Sequence, residues 1–286
     1  METLSSPTMI RELLSRHGFG LKKSMGQNFL INPTVCPKMA QLCGAGEGVG
    51  VLEVGPGIGV LTAELAKRAQ KVVSVELDQR LFPVLGETLG EFSNVYLAKG
   101  DILKLDIAAL IEQQFGEMPV VFCANLPYYI TSPVIMRLLE ERYPFASITV
   151  MVQKEAAQRL CAQPGTREAG AVSLAVAYYA EAKKLFDVGR NSFYPAPRVD
   201  SRVIQLKPRE DLLLCKQDEK ALFAIIRAAF SQRRKMLANP VAHALGIERE
   251  RVWSAQDRVG VSRQARAEEL TLEEFIFLAR ALSCFH

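Results

Sequence analysis

Three short stretches of the chain carry residue types that do chemistry. The first is Glu53-Val54-Gly55-Pro56-Gly57-Ile58-Gly59, which closes an apolar run and opens a stretch of helical period. Glycines at such a turn let a ligand approach the backbone, because no Cβ stands in the way. A dinucleotide fingerprint would need a third glycine where the chain has Val60, which argues against a nicotinamide cofactor. The spacing instead suits the amino-acid end of S-adenosylmethionine. A Gly-rich turn needs no ligand at all, so two carboxylates matter here. Glu76 ends the next apolar run, at a distance from Gly55 where a carboxylate accepts hydrogen bonds from both ribose hydroxyls. Asp101 follows Gly100 at the end of the third run, where it can accept from the adenine amine of the cofactor. In an open parallel sheet the C-terminal strand ends share one edge, so Gly55, Glu76 and Asp101 are expected to converge.

The fourth apolar run ends in Asn125-Leu126-Pro127-Tyr128. An exocyclic aromatic amine is a poor nucleophile because its lone pair is delocalised into the ring. Orientation and rehybridisation activate it, and a strong base does not. The Asn125 side-chain oxygen and the Leu126 carbonyl can accept the amine protons, drawing the nitrogen toward a tetrahedral geometry. Pro127 fixes the turn and Tyr128 stacks on the base. With a good leaving group already on the methyl donor, positioning supplies most of the rate. The plain alternative is a strand-to-helix turn that uses Asn and Pro for ordinary reasons. An extruded adenine needs a second platform, and Phe193 in the proline-rich stretch Asn191 to Ser201 offers one.

These residues must be held by elements that the hydrophobic pattern also shows. Strands are predicted at 49–54, 71–76, 94–99, 119–125, 147–153 and 202–206, with helices at 60–69, 79–90, 106–115, 132–141 and 154–162. The alternation predicts βαβ units around a mostly parallel sheet, an α/β fold of Rossmann-like character. Residues 206–211 lose periodicity around Pro208 and read as a linker. Beyond it, 218–237 and 270–282 carry helical apolar faces. The expectation is a catalytic domain over 1–206 and a small all-helical domain over 211–286.

Charge is distributed unevenly behind a modest total of +4. Residues 39–153 hold eight Lys/Arg against thirteen acids, whereas residues 1–38 hold five against two and 154–209 ten against five. An acidic centre with basic flanks fits a polyanion-binding enzyme that takes a cationic cofactor. The six cysteines form no C-x-x-C pair and the three histidines lie far apart, so no metal site is expected. Nothing in the chain approaches the ~18 apolar residues of a membrane span, nor is there a secretory leader, so a cytoplasmic location is expected.

Taken together, these motifs resemble the ribosomal RNA adenine N6,N6-dimethyltransferase family, and within it the bacterial small-subunit type. The resemblance begins with Lys22-Lys23-Ser24-Met25-Gly26-Gln27-Asn28-Phe29-Leu30 and runs through Glu53–Gly59, Val75–Asp78, Gly100-Asp101 and Asn125–Tyr128. It ends with Phe193–Ser201 and Gln232-Arg233-Arg234-Lys235. It implies a class I S-adenosylmethionine methyltransferase fold, with Asn28 and Leu30 joining Gly55, Glu76, Asp101 and Asn125 around the cofactor. It also implies two methylations on each of two adjacent adenines near the 3′ end of small-subunit (16S) rRNA. The expected partner is that rRNA, within an assembling 30S subunit, and the expected state a monomer. Lys22, Lys23, Arg233, Arg234 and Lys235 are the expected phosphate contacts. The chain departs from the commonest pattern at Ser24-Met25 and at Met236–Asn239, which bears on RNA contact and leaves the chemistry untouched. Three rivals stand beside this reading: a large-subunit rRNA dimethylase of the macrolide-resistance type, an assembly factor acting mainly by binding, and a small-molecule methyltransferase, against which the basic flanks and the helical domain argue. Leu126 and the helical domain favour the small-subunit type, and the intact Asn-Leu-Pro-Tyr motif favours catalysis.

Overall fold

The computed structural model describes residues 6–18 and 28–282. Its elements run α1 (Pro7–Arg16), β1 (Phe29–Leu30), α2 (Val35–Leu42), β2 (Gly50–Val54), α3 (Val60–Ala66), β3 (Lys71–Glu76), α4 (Phe82–Leu89) and β4 (Val95–Lys99). They continue with α5 (Ile107–Phe115), β5 (Val120–Asn125), α6 (Thr131–Glu140), β6 (Phe145–Gln153), α7 (Lys154–Leu160), α8 (Ala171–Tyr179) and β7 (Ala180–Val188). The last are β8 (Phe193–Tyr194), β9 (Ser201–Pro208), α9 (Lys216–Ser231), α10 (Ala238–Leu245), α11 (Arg249–Arg258) and α12 (Leu272–Ala281).

A seven-stranded sheet has the order β4-β3-β2-β5-β6-β9-β7. The strands from β4 to β6 are parallel, and β9 joins β6 antiparallel. Val51, Val72, Cys123 and Met151 are buried on one face in a cluster with Met39 of α2 and Leu65 of α3. Their neighbours Leu52, Val73, Phe122 and Val150 point to the other face and are also fully buried. Both faces are therefore covered, which explains why these strands read as continuous apolar runs. The chain leaves β2 toward β3 and β4, then returns to β5 on the opposite side of β2. That reversal opens a crevice at the C-terminal ends of β2 and β5, where open α/β sheets bind ligands.

Two compact units divide the chain: Met1–Ala157 with Lys183–Pro208, and Gln158–Ala182 with Arg209–His286. The junction at Pro208 lies within the linker read from the sequence. The helical unit, however, also takes residues 158–182, which the sequence reading assigns to the α/β domain. The cause is packing within that unit. Tyr179 of α8 stacks on Phe223 of α9, with ring centroids 5.5 Å apart, and Tyr178 meets the same ring edge-on. Both tyrosine hydroxyls donate to the buried carboxylate of Glu219. The helix expected over 218–237 also ends earlier, at Ser231, and Gln232 to Lys235 form turns. No helix among the described residues is long and apolar enough to cross a membrane.

Candidate active site

Gly55 and Gly57 follow β2 with φ of 70° and 60°, a region that residues with a Cβ seldom occupy. The turn they form closes one side of a cavity of about 280 Å³. Its lining includes every residue of the α/β unit named above for chemistry or cofactor that lies within the described residues. Asn28, Leu30, Gly55, Glu76 and Asp101 stand there with Asn125, Leu126, Pro127, Tyr128 and Phe193. Sequence separation and proximity part company most at Phe193. The strands β1 and β8 pair antiparallel, with Leu30 opposite Phe193, and this sets the proline-rich stretch against the cavity. Backbone bonds fix the ends of that stretch. Ile31 N–H donates to the Ser192 carbonyl at 2.9 Å, and Arg190 N–H to the Asp200 carboxylate at 2.9 Å.

The acidic wall of the cavity is deeply buried. Glu76 is 7% exposed, and its Oε1 accepts the Asp78 N–H at 2.7 Å. Burial raises its pKa, and the backbone N–H donors of Asp78, Leu77 and Gly57 oppose the rise. Asp101 accepts the Leu103 N–H at 3.0 Å and stands 3.9 Å from the Lys104 ammonium. Two hydrogen bonds brace the loop that follows it. The Arg137 guanidinium on α6 donates to the carbonyls of Ile102 at 2.5 Å and Leu105 at 2.8 Å.

Sequence reasoning gave no role to Glu53, although the residue sits in the glycine motif. It lines the cavity at 1% exposure, and its Oε2 accepts hydroxyl bonds from Thr62 at 2.7 Å and Ser74 at 2.5 Å. Burial pushes its pKa up to about 7, against the lowering effect of those two hydroxyls. The signal was present: an acid inside an otherwise apolar strand, in register with a serine in the next.

The opposite wall is uncharged. Asn125 ends β5 half-buried, and among the described residues its carboxamide has no hydrogen-bond partner. Leu126 N–H is held by the Met151 carbonyl at 3.3 Å, which sets where the turn leaves the sheet. The Tyr128 hydroxyl meets Ser201 Oγ at 3.0 Å, pinning the ring to the start of β9. Partial burial raises the Tyr128 pKa and the Ser201 bond lowers it. Tyr129 beside it is 62% exposed at the rim.

Of the residues expected to meet phosphate, three are described. Lys22 and Lys23 lie outside the described residues. Arg234 and Lys235 are exposed on the turn after α9. Arg233 is exposed as well, with 44% of its side chain open, and also bonds within the helical unit. Its guanidinium donates to the carbonyls of Arg167 at 2.5 Å and Ala169 at 3.0 Å, and lies 3.5 Å from Glu268.

A buried acidic pair, a Gly-rich turn and an unpartnered carboxamide on one cavity suit a cationic nucleoside and an amine-bearing base. Known proteins agree with that chemistry. Residues 18–283 match the family model described as ribosomal RNA adenine dimethylase. The chain is 44% identical to the ribosomal RNA small subunit methyltransferase A of Geobacillus thermodenitrificans, over 98% of this chain and 97% of that one. It is 42% identical to the protein of the same name from Bacillus mycoides, over 99% and 98%. Among solved structures, a dimethyladenosine transferase from Plasmodium falciparum superposes with a TM-score of 0.72, at 26% identity over 87% of this chain and 95% of that one. The 23S rRNA methyltransferase ErmE superposes with a TM-score of 0.69, at 27% identity over 90% of this chain and 100% of that one. On the strength of a match that spans both units, the chain belongs to the ribosomal RNA adenine dimethylase family, and it is a methyltransferase enzyme.

Proposed function

We propose that this enzyme uses S-adenosylmethionine to dimethylate the N6 amines of two adjacent adenines near the 3′ end of small-subunit (16S) rRNA. It acts as a cytoplasmic monomer on an assembling 30S subunit. The observation that carries the reading is the cavity itself, with Gly55, Glu76 and Asp101 on one side and Asn125 to Tyr128 with Phe193 on the other. The donor set fits the cofactor: Glu76 accepts from the ribose hydroxyls, Asp101 from the adenine amine, and Asn28 and Leu30 close the remaining side. Bound there, S-adenosylmethionine supplies an electrophilic methyl group on a sulfonium sulfur. The chain does the rest by placement. Asn125 Oδ1 and the Leu126 carbonyl accept the two amine protons, so the nitrogen lone pair turns out of the ring plane and toward the methyl group. Tyr128 and Phe193 hold the extruded base, and the Ser201 bond keeps the Tyr128 ring from swinging. RNA contact falls to the exposed Arg233, Arg234 and Lys235, to Lys22 and Lys23, and to the helical domain over 211–286. The near full-length likeness to small-subunit methyltransferases at 44% identity favours this substrate over large-subunit RNA. The test is methylation of 30S subunits that lack adenine dimethylation, followed by mapping of the modified bases. Label on two adjacent adenines near the 16S 3′ end is expected. Label confined to 23S rRNA, or RNA binding without methyl transfer, would overturn the assignment.

A further inference from the structure

The acidic wall holds more negative charge than ribose and adenine recognition require. Glu53 stands opposite Ser74 in the register of β2 with β3, and Glu76 lies two residues beyond Ser74 on the same face of β3. Both carboxylates line the cavity. Thr62 and Ser74 occupy Oε2 of Glu53, and no described residue donates to its Oε1. Lys99 stands opposite Glu76 in the register of β4 with β3 but is exposed and makes no ion pair with it, and Lys104 lies 3.9 Å from Asp101; the other titratable groups around the pair are acids and thiols. Glu64 lies on α3, Cys36 on α2, Cys123 on β5 and Asp78 just past β3. The Arg80 guanidinium donates to Asp78 through bonds of 2.8 and 2.5 Å. Two buried carboxylates thus face one cavity with no basic partner among the described residues. Burial raises both; the charge of Glu76 adds to the rise at Glu53, which reaches about 7, and that of Asp78 to the rise at Glu76. Only a proton or a bound cation relieves such a pair.

We propose that Glu53 and Glu76 form a proton-exchanging cation trap, which binds the sulfonium cofactor with release of a proton and so distinguishes it from its thioether product. The proposal rests on the cofactor reading above and deepens it. The charges balance over one turnover. A sulfonium and a neutral amine give a thioether and a protonated methylamine, which then loses that proton to solvent. The cleft has lost one positive charge, and the pair regains the proton it released on binding. The product therefore leaves behind a pair that prefers to be protonated, whereas the fresh cofactor favours the ionised pair.

Isothermal titration calorimetry of the full chain tests this with S-adenosylmethionine and, separately, S-adenosylhomocysteine. Titrations from about pH 6 to about pH 8.5, in buffers of unlike ionisation enthalpy, count the protons exchanged. The sulfonium lowers the pKa of its own ligand's α-amino group relative to the thioether's, so each free ligand is titrated separately and its contribution subtracted before protons and affinities are compared. Near pH 7 the sulfonium ligand is expected to release up to about one proton more than the thioether. The affinity ratio should then shift toward the sulfonium by at most about tenfold per pH unit. Glu53→Gln should flatten that slope and Glu53→Asp should keep one. Should Glu53→Gln fail to fold, the wild-type proton difference alone decides. Equal proton counts for the two ligands, or an unchanged slope in Glu53→Gln, would overturn the trap and leave the cofactor assignment standing. A wild-type chain that binds neither ligand would overturn both.

Discussion

One wall of the cavity is acidic, with Glu53 and Glu76 almost wholly buried and Asp101 partly open, while the other is neutral and carries the half-buried Asn125. Glu53 and Glu76 are 1% and 7% exposed, with hydroxyls and backbone N–H groups already bound to them. Asn125, across the cavity, carries a carboxamide with no partner among the described residues. A buried charge is costly unless something compensates it, so the first wall stores a demand for a cation. An uncharged acceptor at the rim costs little and selects by direction alone. The difference separates binding from turnover: one wall should set which cofactor enters, the other how fast the methyl group moves.

The sharpest way to break that division is Asn125→Ala. It removes a directed acceptor that matters most as the amine nitrogen becomes tetrahedral, so kcat should fall on the order of a hundredfold or more. Single-turnover methylation at saturating cofactor and RNA measures it, and a wild-type rate would reduce the Asn-Leu-Pro-Tyr segment to a turn. The acidic wall is probed by pH. Glu53 titrates at about 7 in the folded chain against an ordinary 4.5, so between those values the folded state holds a proton that the unfolded state has lost. Stability without ligand should therefore be highest near the lower value and fall as pH rises through about 7, by up to about 3 kcal/mol. Urea unfolding at pH 5 and pH 8 should show this decline in the wild type and much less of it in Glu53→Gln. Parallel behaviour of the two would deny Glu53 its raised pKa.

A smaller effect sharpens the neutral wall. Tyr128→Ala should lose base stacking worth about 1–3 kcal/mol, read in KM for RNA. Tyr128→Phe keeps the ring, loses only the Ser201 bond, and should cost roughly 1 kcal/mol. Equal losses would mean that the hydroxyl, not the ring, does the holding. The smallest expected change lies outside the cavity. Neutralising Arg234 and Lys235 should lower the salt dependence of RNA binding by about 0.7–0.9 in slope per contact and leave cofactor affinity alone. Arg233→Gln should in addition lower the melting temperature of the helical unit, because its guanidinium is bound to two carbonyls there.

Local pattern alone determined much of this protein. The strands β2, β3, β5 and β6 were legible as apolar runs, because a parallel sheet covered on both faces demands them, while the edge strand β4 is partly open. The glycine turn, Glu76, Asp101 and the Asn125 segment were legible because each sits at a strand's C-terminal end, and sheet topology sends all such ends to one edge. What escaped the sequence depended on neighbours far along the chain. The stretch 171–179 is apolar on all sides, so its period names no face, and only the rings of Tyr178 and Tyr179 against Phe223 commit it to the helical unit. Arg233 belongs to a basic run that reads as a phosphate contact, and only the fold shows that it also donates to the carbonyls of Arg167 and Ala169. Phe193 reaches the cavity through a two-residue pairing with β1 that no propensity signals. The charge state of Glu53 was decided in the same way. Its type and place are written in the sequence, but its burial beside Glu76, with Thr62 and Ser74 on one oxygen, exists only once β2, β3 and α3 have packed.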